Sequence, residues 1–199
     1  MPSPTLLEIY LARHGETAWS ISGQHTGRTD IPLTEAGEAA ARALGRRLEG
    51  VTFDRVFTSP RVRAARTAEL AGFGGRAEAE PDLQEWDYGG YEGLTTDEIH
   101  QKAPGWSIFR DGIPDGESVA EVGARADRLL ARVRGIGGRV LLVGHGHFTR
   151  VVAVRWLGLP VADGRLFFLG TAALSILGGD HGPEEPVIKL WNDTNHVKK

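Results

Sequence analysis

The stretch LLEIYLARHGE (residues 6–16) decides the fold, because an apolar run stops there at a basic pair followed by glycine. The apolar part, Leu6–Ala12, is typical of a strand that is buried on both faces of a sheet. A loop rich in Gly, Ser and Thr follows at Ser20–Pro32. We therefore predict a central strand over Leu6–Ala12 that delivers Arg13 and His14 to one edge of the sheet.

Helical and extended patterns alternate along the rest of the chain. The predicted helices cover Glu35–Leu48, Arg61–Ala71, Thr96–Lys102, residues 119 to 134 and Phe148–Leu157. The further predicted strands cover Phe53–Thr58, Val140–Val143, Ala172–Leu177 and Val187–Trp191. Thr34, Ser59 and Ser118 are predicted N-caps, because a hydroxyl oxygen accepts a free amide hydrogen at a helix start. Around the short third helix, residues 72–116 are expected to be irregular, and the polar tail from Asn192 is expected to fray.

This alternation indicates an α/β fold. The chain has 199 residues, a length that matches one domain. We predict a single three-layer domain over residues 1–199, with a mainly parallel sheet flanked by helices.

The composition excludes several classes of protein. The chain has no cysteine, so disulfides, thiolate metal sites and cysteine nucleophiles are ruled out. Its net charge of −3 disfavours nucleic-acid binding, which usually shows a basic surplus. No apolar run approaches the length of a membrane span, and the N-terminus lacks the pattern of a signal peptide. We expect a cytoplasmic protein without a membrane or nucleic-acid partner; its oligomeric state is not readable from the sequence.

Three basic segments are predicted to meet at one edge of the sheet. Ligands of such sheets lie beyond the carboxyl ends of the strands. Arg13 with His14, Arg63 in the helix after Ser59, and His145 after the strand at 140–143 all follow such strand ends. Two imidazoles, two guanidiniums and a helix N-terminus favour a phosphate dianion.

This set of side chains also suggests a reaction. A neutral imidazole is an accepted nucleophile, and cationic groups stabilise a phosphoryl group in transfer. Glu85 is the best candidate for the acid that protonates the leaving alkoxide, since it lies among aromatic residues in an irregular segment. The set contains no carboxylate cluster for a metal, so no metal or cofactor is expected.

These motifs resemble the histidine phosphatase superfamily, the phosphoglycerate-mutase-like group. The matching segments are Arg13–Trp19, Thr26-Gly27, Asp30–Thr34, Thr58-Ser59-Pro60 with Arg63-Ala64, Glu85 with Tyr88-Gly89, Gly116-Glu117-Ser118 and Gly144-His145-Gly146. They cover nearly the whole chain in the order of the family. The resemblance implies a phosphoglycerate-mutase-like fold and a phosphate ester as the substrate.

The resemblance also implies a role for each matching residue. His14 matches the nucleophile that becomes phosphohistidine, and Glu85 matches the proton donor. Arg13, Arg63 and His145 match the phosphate pocket. The expected phosphate- and substrate-binding set is completed by Thr26, Gly27, Tyr88, Gly146 and Ser20, the last standing where many relatives carry asparagine.

Within the superfamily, the sequence looks most like bacterial acid phosphatases and the yeast-type sedoheptulose bisphosphatase. Only 60 residues separate Glu85 from His145, where phosphoglycerate mutases carry an insertion. Asp87 is expected to repel the carboxylate of a mutase substrate. We therefore expect a metal-independent phosphomonoesterase for small phosphorylated metabolites, with an acidic pH optimum. Mutase-type phosphotransfer, a sugar bisphosphatase such as a sedoheptulose or fructose bisphosphatase, and a phospho-ligand-binding protein without catalysis remain alternatives.

Overall fold

The structure, a computed structural model, describes residues 7–182 and 185–197. The strands are β1 (Glu8–Arg13), β2 (Arg55–Thr58), β3 (Ala77–Ala79), β4 (Arg139–Gly144), β5 (Leu174–Gly179) and β6 (Pro186–Asp193). The helices are α1 (Ala18–Ser22), α2 (Glu35–Arg47), α3 (Val62–Ala68), α4 (Thr96–Lys102), α5 (Ile108–Asp111), α6 (Val119–Ile136) and α7 (Gly146–Trp156). No helix among these residues is long and apolar enough to cross a bilayer.

The strands form one mixed sheet in the order β3-β2-β4-β1-β5-β6. The first four are mutually parallel, and β5 and β6 complete the sheet in antiparallel pairings. The predicted central position of the first strand is confirmed, since β1 pairs with β4 on one side and β5 on the other. The carboxyl ends of β1, β2 and β4 therefore share one edge.

Successive residues of β1 and β4 pack into different layers, as the period of a strand requires. Ile9 and Leu142 belong to the core under α6 and α7, whereas Ala12 and Val143 belong to the core under α2 and α3. All four are buried. The predicted three-layer α/β fold is therefore confirmed.

The N-caps at Thr34 and Ser118 are confirmed. Thr34 accepts from the third amide of α2, and Ser118 forms a reciprocal capping box with Glu121. The N-cap at Ser59 is wrong: α3 begins at Val62, whose N–H donates to the carboxylate of Asp30 (3.0 Å). A side chain from a distant loop therefore caps α3, and its first amide is not free for a phosphate.

Three short elements and the tail also differ from the sequence prediction. The pattern gives no sign of α1, α5 or β3, which contain five, four and three residues. The tail does not fray at Asn192: β6 runs to Asp193, and the His196 imidazole contacts the Ala172 carbonyl (2.9 Å). Leu6 and Lys198–Lys199 lie outside the described residues.

Candidate active site

His14 lies where β1 gives way to a tightly fixed turn. Its N–H donates to the carbonyl of Gly144, the last residue of β4 (2.9 Å). Gly15 follows against α2, where a Cβ would come within 2.4 Å of the Gly37 carbonyl oxygen. The Gly15 N–H donates to Thr67 Oγ1 in α3 (3.0 Å). Only glycine therefore fits at residue 15, and the turn fixes His14 between two helices.

The imidazole of His14 presents a lone pair to a cleft. Nδ1 donates to the carbonyl of Gly15 (2.7 Å), so the neutral ring keeps Nε2 unprotonated. Burial, followed by the charges of Arg13 and Arg63, lowers the pKa of His14 well below its usual value. The side chain lines the cleft and stays neutral at moderately acidic pH, as a nucleophile must.

His145 packs beside it, and its imidazole carries its proton on the same ring nitrogen. The two imidazole centroids are 5.2 Å apart, and His145 is fully buried. Ser59 Oγ lies 2.7 Å from His145 Nε2 and already accepts the Arg61 N–H (3.3 Å). With the hydroxyl hydrogen donated to Nε2, the imidazole proton lies on Nδ1, as it does in His14. Burial and the Arg63 charge lower the pKa of His145 well below its usual value. Ser59, predicted only as a cap, orients this ring.

Arg63 is fully buried and holds the loop after α1 in place. Its guanidinium donates to the carbonyls of Thr26 (2.8 Å), Gly27 (3.2 Å) and Thr29 (3.0 Å). Carbonyl oxygens carry no net charge, so these bonds position the cation without neutralising it. Arg63 therefore delivers a full positive charge to the two imidazoles.

Arg13 is fixed from the opposite side of the cleft. Its Nη1 donates to the carbonyl of Leu169, in the segment before β5 (2.6 Å). The neighbouring Gly170 N–H donates to the side-chain oxygen of Asn192 in β6 (2.8 Å). Gly146 opens α7 beside the guanidinium, and a Cβ there would lie 3.3 Å from Arg13 Cζ. A larger residue at 146 would crowd Arg13.

Three buried polar atoms near His14 have no hydrogen-bond partner in the described ranges 7–182 and 185–197. They are Nε of Arg13, Nε of Arg63 and Nδ1 of His145. All three carry hydrogens, and a buried donor without an acceptor costs about 1–3 kcal/mol. A tetrahedral anion beside His14 supplies acceptors for such donors. The structure therefore brings the side chains of Arg13, His14, Arg63 and His145 together.

Glu85 lines the same cleft, where its carboxylate accepts backbone N–H groups only. Oε1 accepts from Trp86 (2.9 Å) and Phe148 (2.8 Å), and Oε2 accepts from His147 (3.0 Å). The amides of His147 and Phe148 belong to the first turn of α7. The N-terminus of α7 therefore orients a carboxylate.

Two further histidines face the cleft with fixed tautomers. Burial, followed by the charge of Glu85, raises the pKa of Tyr88 well above its usual value, so its hydroxyl stays protonated and donates to His147 Nδ1 (2.5 Å). His147 therefore carries its proton on Nε2. His25 donates from Nδ1 to the Leu94 carbonyl (2.8 Å), so its Nε2 is an acceptor. The two rings are nearly parallel, 5.9 Å apart, and present one donor and one acceptor.

Sequence reasoning missed Arg150 and Phe168. Arg150 lies one helical turn after His147, and a spacing of three residues puts both on one face of α7. Its Nε donates to the Gly164 carbonyl (2.8 Å), and its guanidinium carbon lies over the Phe109 ring, 4.4 Å from the ring centroid. Phe168 is 75% exposed at the rim of the cleft. The helical spacing was the signal for Arg150, whereas nothing in the sequence marked Phe168.

The remaining predicted residues divide between the cleft and its support. Thr26, Tyr88, Gly146 and Ser20 line the cleft, although the Ser20 hydroxyl is engaged with the backbone of Thr17. Gly27 supports the cleft from behind. Its carbonyl accepts from Arg63, and its N–H donates to the carboxylate of Glu92 (3.0 Å).

Trp86 and Asp87, which follow Glu85 in the chain, do not line the cleft. Trp19 lines the cleft, but Trp86 is fully buried and packs edge-on against Phe109. Asp87 pairs with Arg28 (2.6 Å) and lines a second cavity behind Glu85. Because Arg28 neutralises this carboxylate, its predicted repulsion of a mutase substrate is not supported.

Comparison with known proteins agrees with this geometry. A family model described as the histidine phosphatase superfamily (branch 1) matches residues 9–194. The chain is 46% identical to an acid phosphatase of Mycobacterium tuberculosis over 178 residues, 87% of each chain. It is 36% identical to a sedoheptulose 1,7-bisphosphatase of Saccharomyces cerevisiae over 195 residues, 81% of this chain and 71% of the relative.

The fold agrees with a solved structure as well. The protein of an open reading frame from Mycobacterium tuberculosis superimposes with a TM-score of 0.88 at 42% identity, covering 93% of this chain and 96% of that one. The resemblance inferred from the motifs is confirmed. The sequence identity is high over nearly the whole chain, so the similarity concerns the function as well as the fold. The protein belongs to the histidine phosphatase superfamily and is a phosphatase.

Proposed function

We propose that this protein hydrolyses small phosphomonoesters through a phosphohistidine at His14, without a metal ion. The observation that carries the proposal is the lone pair of His14 Nε2 beside three buried donors, from Arg13, Arg63 and His145. Cationic and neutral donors attract the phosphoryl oxygens of a dianion and repel a metal cation. The same groups stabilise the charge that those oxygens carry during transfer.

The reaction has two half-reactions. In the first, Nε2 of His14 attacks phosphorus, the ester P–O bond breaks, and protonated Glu85 gives its proton to the leaving alkoxide. In the second, ionised Glu85 takes a proton from water, whose oxygen attacks phosphorus and breaks the P–N bond. Inorganic phosphate leaves, and Glu85 is protonated again.

The cleft favours a small alcohol that carries hydroxyl groups. Its volume is about 230 Å³. A hydroxyl group both donates and accepts, which matches the acceptor of His25 and the donor of His147. Arg150 adds a cation at the same wall, a feature that supports the sugar bisphosphatase alternative. Mutase-type transfer remains the second alternative, and the non-catalytic alternative is disfavoured because the nucleophile, donors and acid are all present.

The decisive experiment is to trap the phosphoenzyme. Labelled substrate, quenched within one turnover, should yield an acid-labile and base-stable phosphoprotein, and vanadate should inhibit whereas EDTA should not. A panel of sugar phosphates, bisphosphates, phosphoglycerates and phosphopeptides then ranks the substrates. A phosphatase activity that EDTA abolishes and that leaves no label on the protein would contradict the proposal.

Arg63→Met should lower kcat about 10²–10³-fold while KM changes much less, because its charge contact strengthens at the transition state. Arg63→Lys should recover only part of this loss, since an ammonium cannot hold three carbonyls as a planar fork does. Arg66→Met is the matched control: Arg66 lies one turn later in α3 and pairs with Glu38 on the surface (3.0 Å). An Arg63→Met enzyme with unchanged kcat would contradict the role of Arg63.

Acidification should destabilise the fold below about pH 6.5, the ordinary pKa of histidine. Burial holds the pKa of His14, His145 and His147 well below that value in the folded protein. Below pH 6.5 the unfolded chain therefore binds protons that the folded chain does not, and the free energy of unfolding falls with pH. Each histidine contributes up to about 1.4 kcal/mol per pH unit.

Urea unfolding at pH values from 7.5 to 5 measures this slope. His147→Gln should make it shallower, and the exposed His181→Gln should not change it. A stability that stays constant from pH 7 to pH 5 would show that these imidazoles are not held neutral. The same lowered pKa keeps His14 nucleophilic in acid, which supports an acidic pH optimum.

A further inference from the structure

The segment that carries Glu85 has a cavity on each side. Glu85 lines the cleft with His14, and it also lines a second cavity of about 460 Å³ behind the segment. Arg125 and Glu117 line this second cavity as well. Polar contacts made on either side of this segment hold Glu85 between the two cavities.

Arg125 of α6 supplies such contacts on the N-terminal side of Glu85. Its guanidinium donates to the carbonyls of Asp82 (2.9 Å) and Gln84 (2.7 Å), with a longer contact to that of Glu85 (3.4 Å). It also lies over the ring of Phe148, 4.0 Å from the ring centroid. Since the Phe148 N–H is one of the donors to the Glu85 carboxylate, Arg125 ties the segment to the helix that orients its acid.

Glu117 supplies contacts on the C-terminal side. Its carbonyl accepts the indole N–H of Trp86 (2.7 Å), and its N–H donates to the Asp87 carbonyl (3.1 Å). Its carboxylate pairs with Arg125 through two bonds of 2.7 and 2.6 Å, and the two side chains are 15% and 10% exposed. This bidentate ion pair therefore links the two sides of Glu85.

We propose that the Arg125–Glu117 pair is a positioning device that holds Glu85 where it protonates the leaving group. This inference rests on the proposed function, in which Glu85 is the general acid. In the part of the chain that the structure describes, neither residue hydrogen-bonds to Arg13, Arg63 or His145. Arg125 reaches His145 only through its charge, the smallest of the causes that lower the pKa of that imidazole. A general acid displaced by about 1 Å loses on the order of 10²-fold in rate. In the first half-reaction this loss falls on esters whose leaving group needs a proton, whereas hydrolysis of the phosphoenzyme is slowed for every ester because Glu85 also activates water.

The test compares two leaving groups in Arg125→Met and Glu117→Gln. With glycerol 2-phosphate, whose alkoxide needs a proton, Arg125→Met should lower the rate of phosphoenzyme formation, measured by rapid quenching, about 10–100-fold, with the upper end set by the displacement of the acid. With p-nitrophenyl phosphate, whose leaving group needs no proton, the loss in that rate should stay below about 3-fold, since the nucleophile and the phosphate donors are unchanged. KM should change little for either ester. Glu117→Gln keeps the shape of the side chain and should show a smaller loss of the same pattern.

Arg128→Met is the matched control. Arg128 lies one turn after Arg125 on α6 and forms an exposed ion pair with Asp82 (2.9 Å), so neither ester should be slowed. Equal losses on both esters in Arg125→Met, or an unchanged rate on both, would overturn the positioning role. Labelling of His14 by p-nitrophenyl phosphate is measured in the wild type and in Arg125→Met, so that failure of the positioning role can be distinguished from failure of the proposed function. Absence of label on the wild-type enzyme would overturn the proposed function.

Discussion

His14→Ala should abolish turnover, with a loss of about 10⁴-fold or more, because the variant has no atom that can form the bond to phosphorus. The fold should survive. The His14 backbone amide still bonds Gly144, and glycine at 15 still fits against α2. Removing an imidazole that the fold forces to remain neutral also removes one contribution to acid sensitivity. The variant should therefore unfold at a urea concentration no lower than the wild type at pH 5.5.

Three measurements check this result. Steady-state hydrolysis of p-nitrophenyl phosphate gives the loss in kcat, circular dichroism shows that the fold is retained, and labelled substrate reports the phosphoenzyme. His181→Ala serves as the control, because that side chain is exposed in the turn between β5 and β6. A folded His14→Ala protein that hydrolyses the ester at the wild-type rate would falsify the covalent mechanism.

Glu85→Gln should slow alkyl phosphates about 10²–10⁴-fold, the usual contribution of a general acid. An amide has no acidic proton to give to an alkoxide. The substitution also places an NH₂ group opposite backbone N–H donors of Trp86, His147 and Phe148, so one oxygen must serve all of them. p-Nitrophenyl phosphate should lose much less in the first half-reaction, because nitrophenolate leaves without a proton.

Two measurements separate the half-reactions. Rapid quenching gives the rate of phosphoenzyme formation for each ester, and the rate at which label leaves the protein reports its hydrolysis. Phosphoenzyme should form at nearly the normal rate from p-nitrophenyl phosphate and persist longer, since Glu85 also activates water. Gln84→Glu, which leaves the wild-type acid in place, controls for changes to the segment. Equal losses in phosphoenzyme formation from both esters would remove Glu85 from the role of acid.

Short-range sequence signals were sufficient for five of the six described strands and for the cluster of basic residues. The run at 6–12 is apolar on both faces, and its strand ends at Arg13, so the position of His14 follows from the period of a strand. Parallel pairing then places β1, β2 and β4 side by side with their carboxyl ends together. These features depend on local patterns and on topology, and both can be read from one sequence.

Contacts between distant segments could not be predicted in this way. Ser59 followed by proline has the pattern of an N-cap, but its hydroxyl meets His145, and Asp30 caps α3 instead. Glu85 was expected under aromatic cover, but backbone amides of α7 surround its carboxylate. In each case a polar group hydrogen-bonds to a residue that is distant in sequence, and local sequence propensities do not predict such pairs. The tautomers of the imidazoles are hidden from the sequence for the same reason.

The bond between Arg13 and the Leu169 carbonyl has a consequence for the order of biosynthesis. Every side chain proposed to react lies between residues 13 and 150 and is therefore translated before the segment that seats Arg13. That seat in turn depends on β5, which borders β1, and on Asn192 of β6. A nascent chain thus already contains every side chain that the proposed reaction uses, while Arg13 still lacks the carbonyl that fixes its position. Activity is therefore acquired only after β5 and β6 have been translated and have paired with the rest of the sheet.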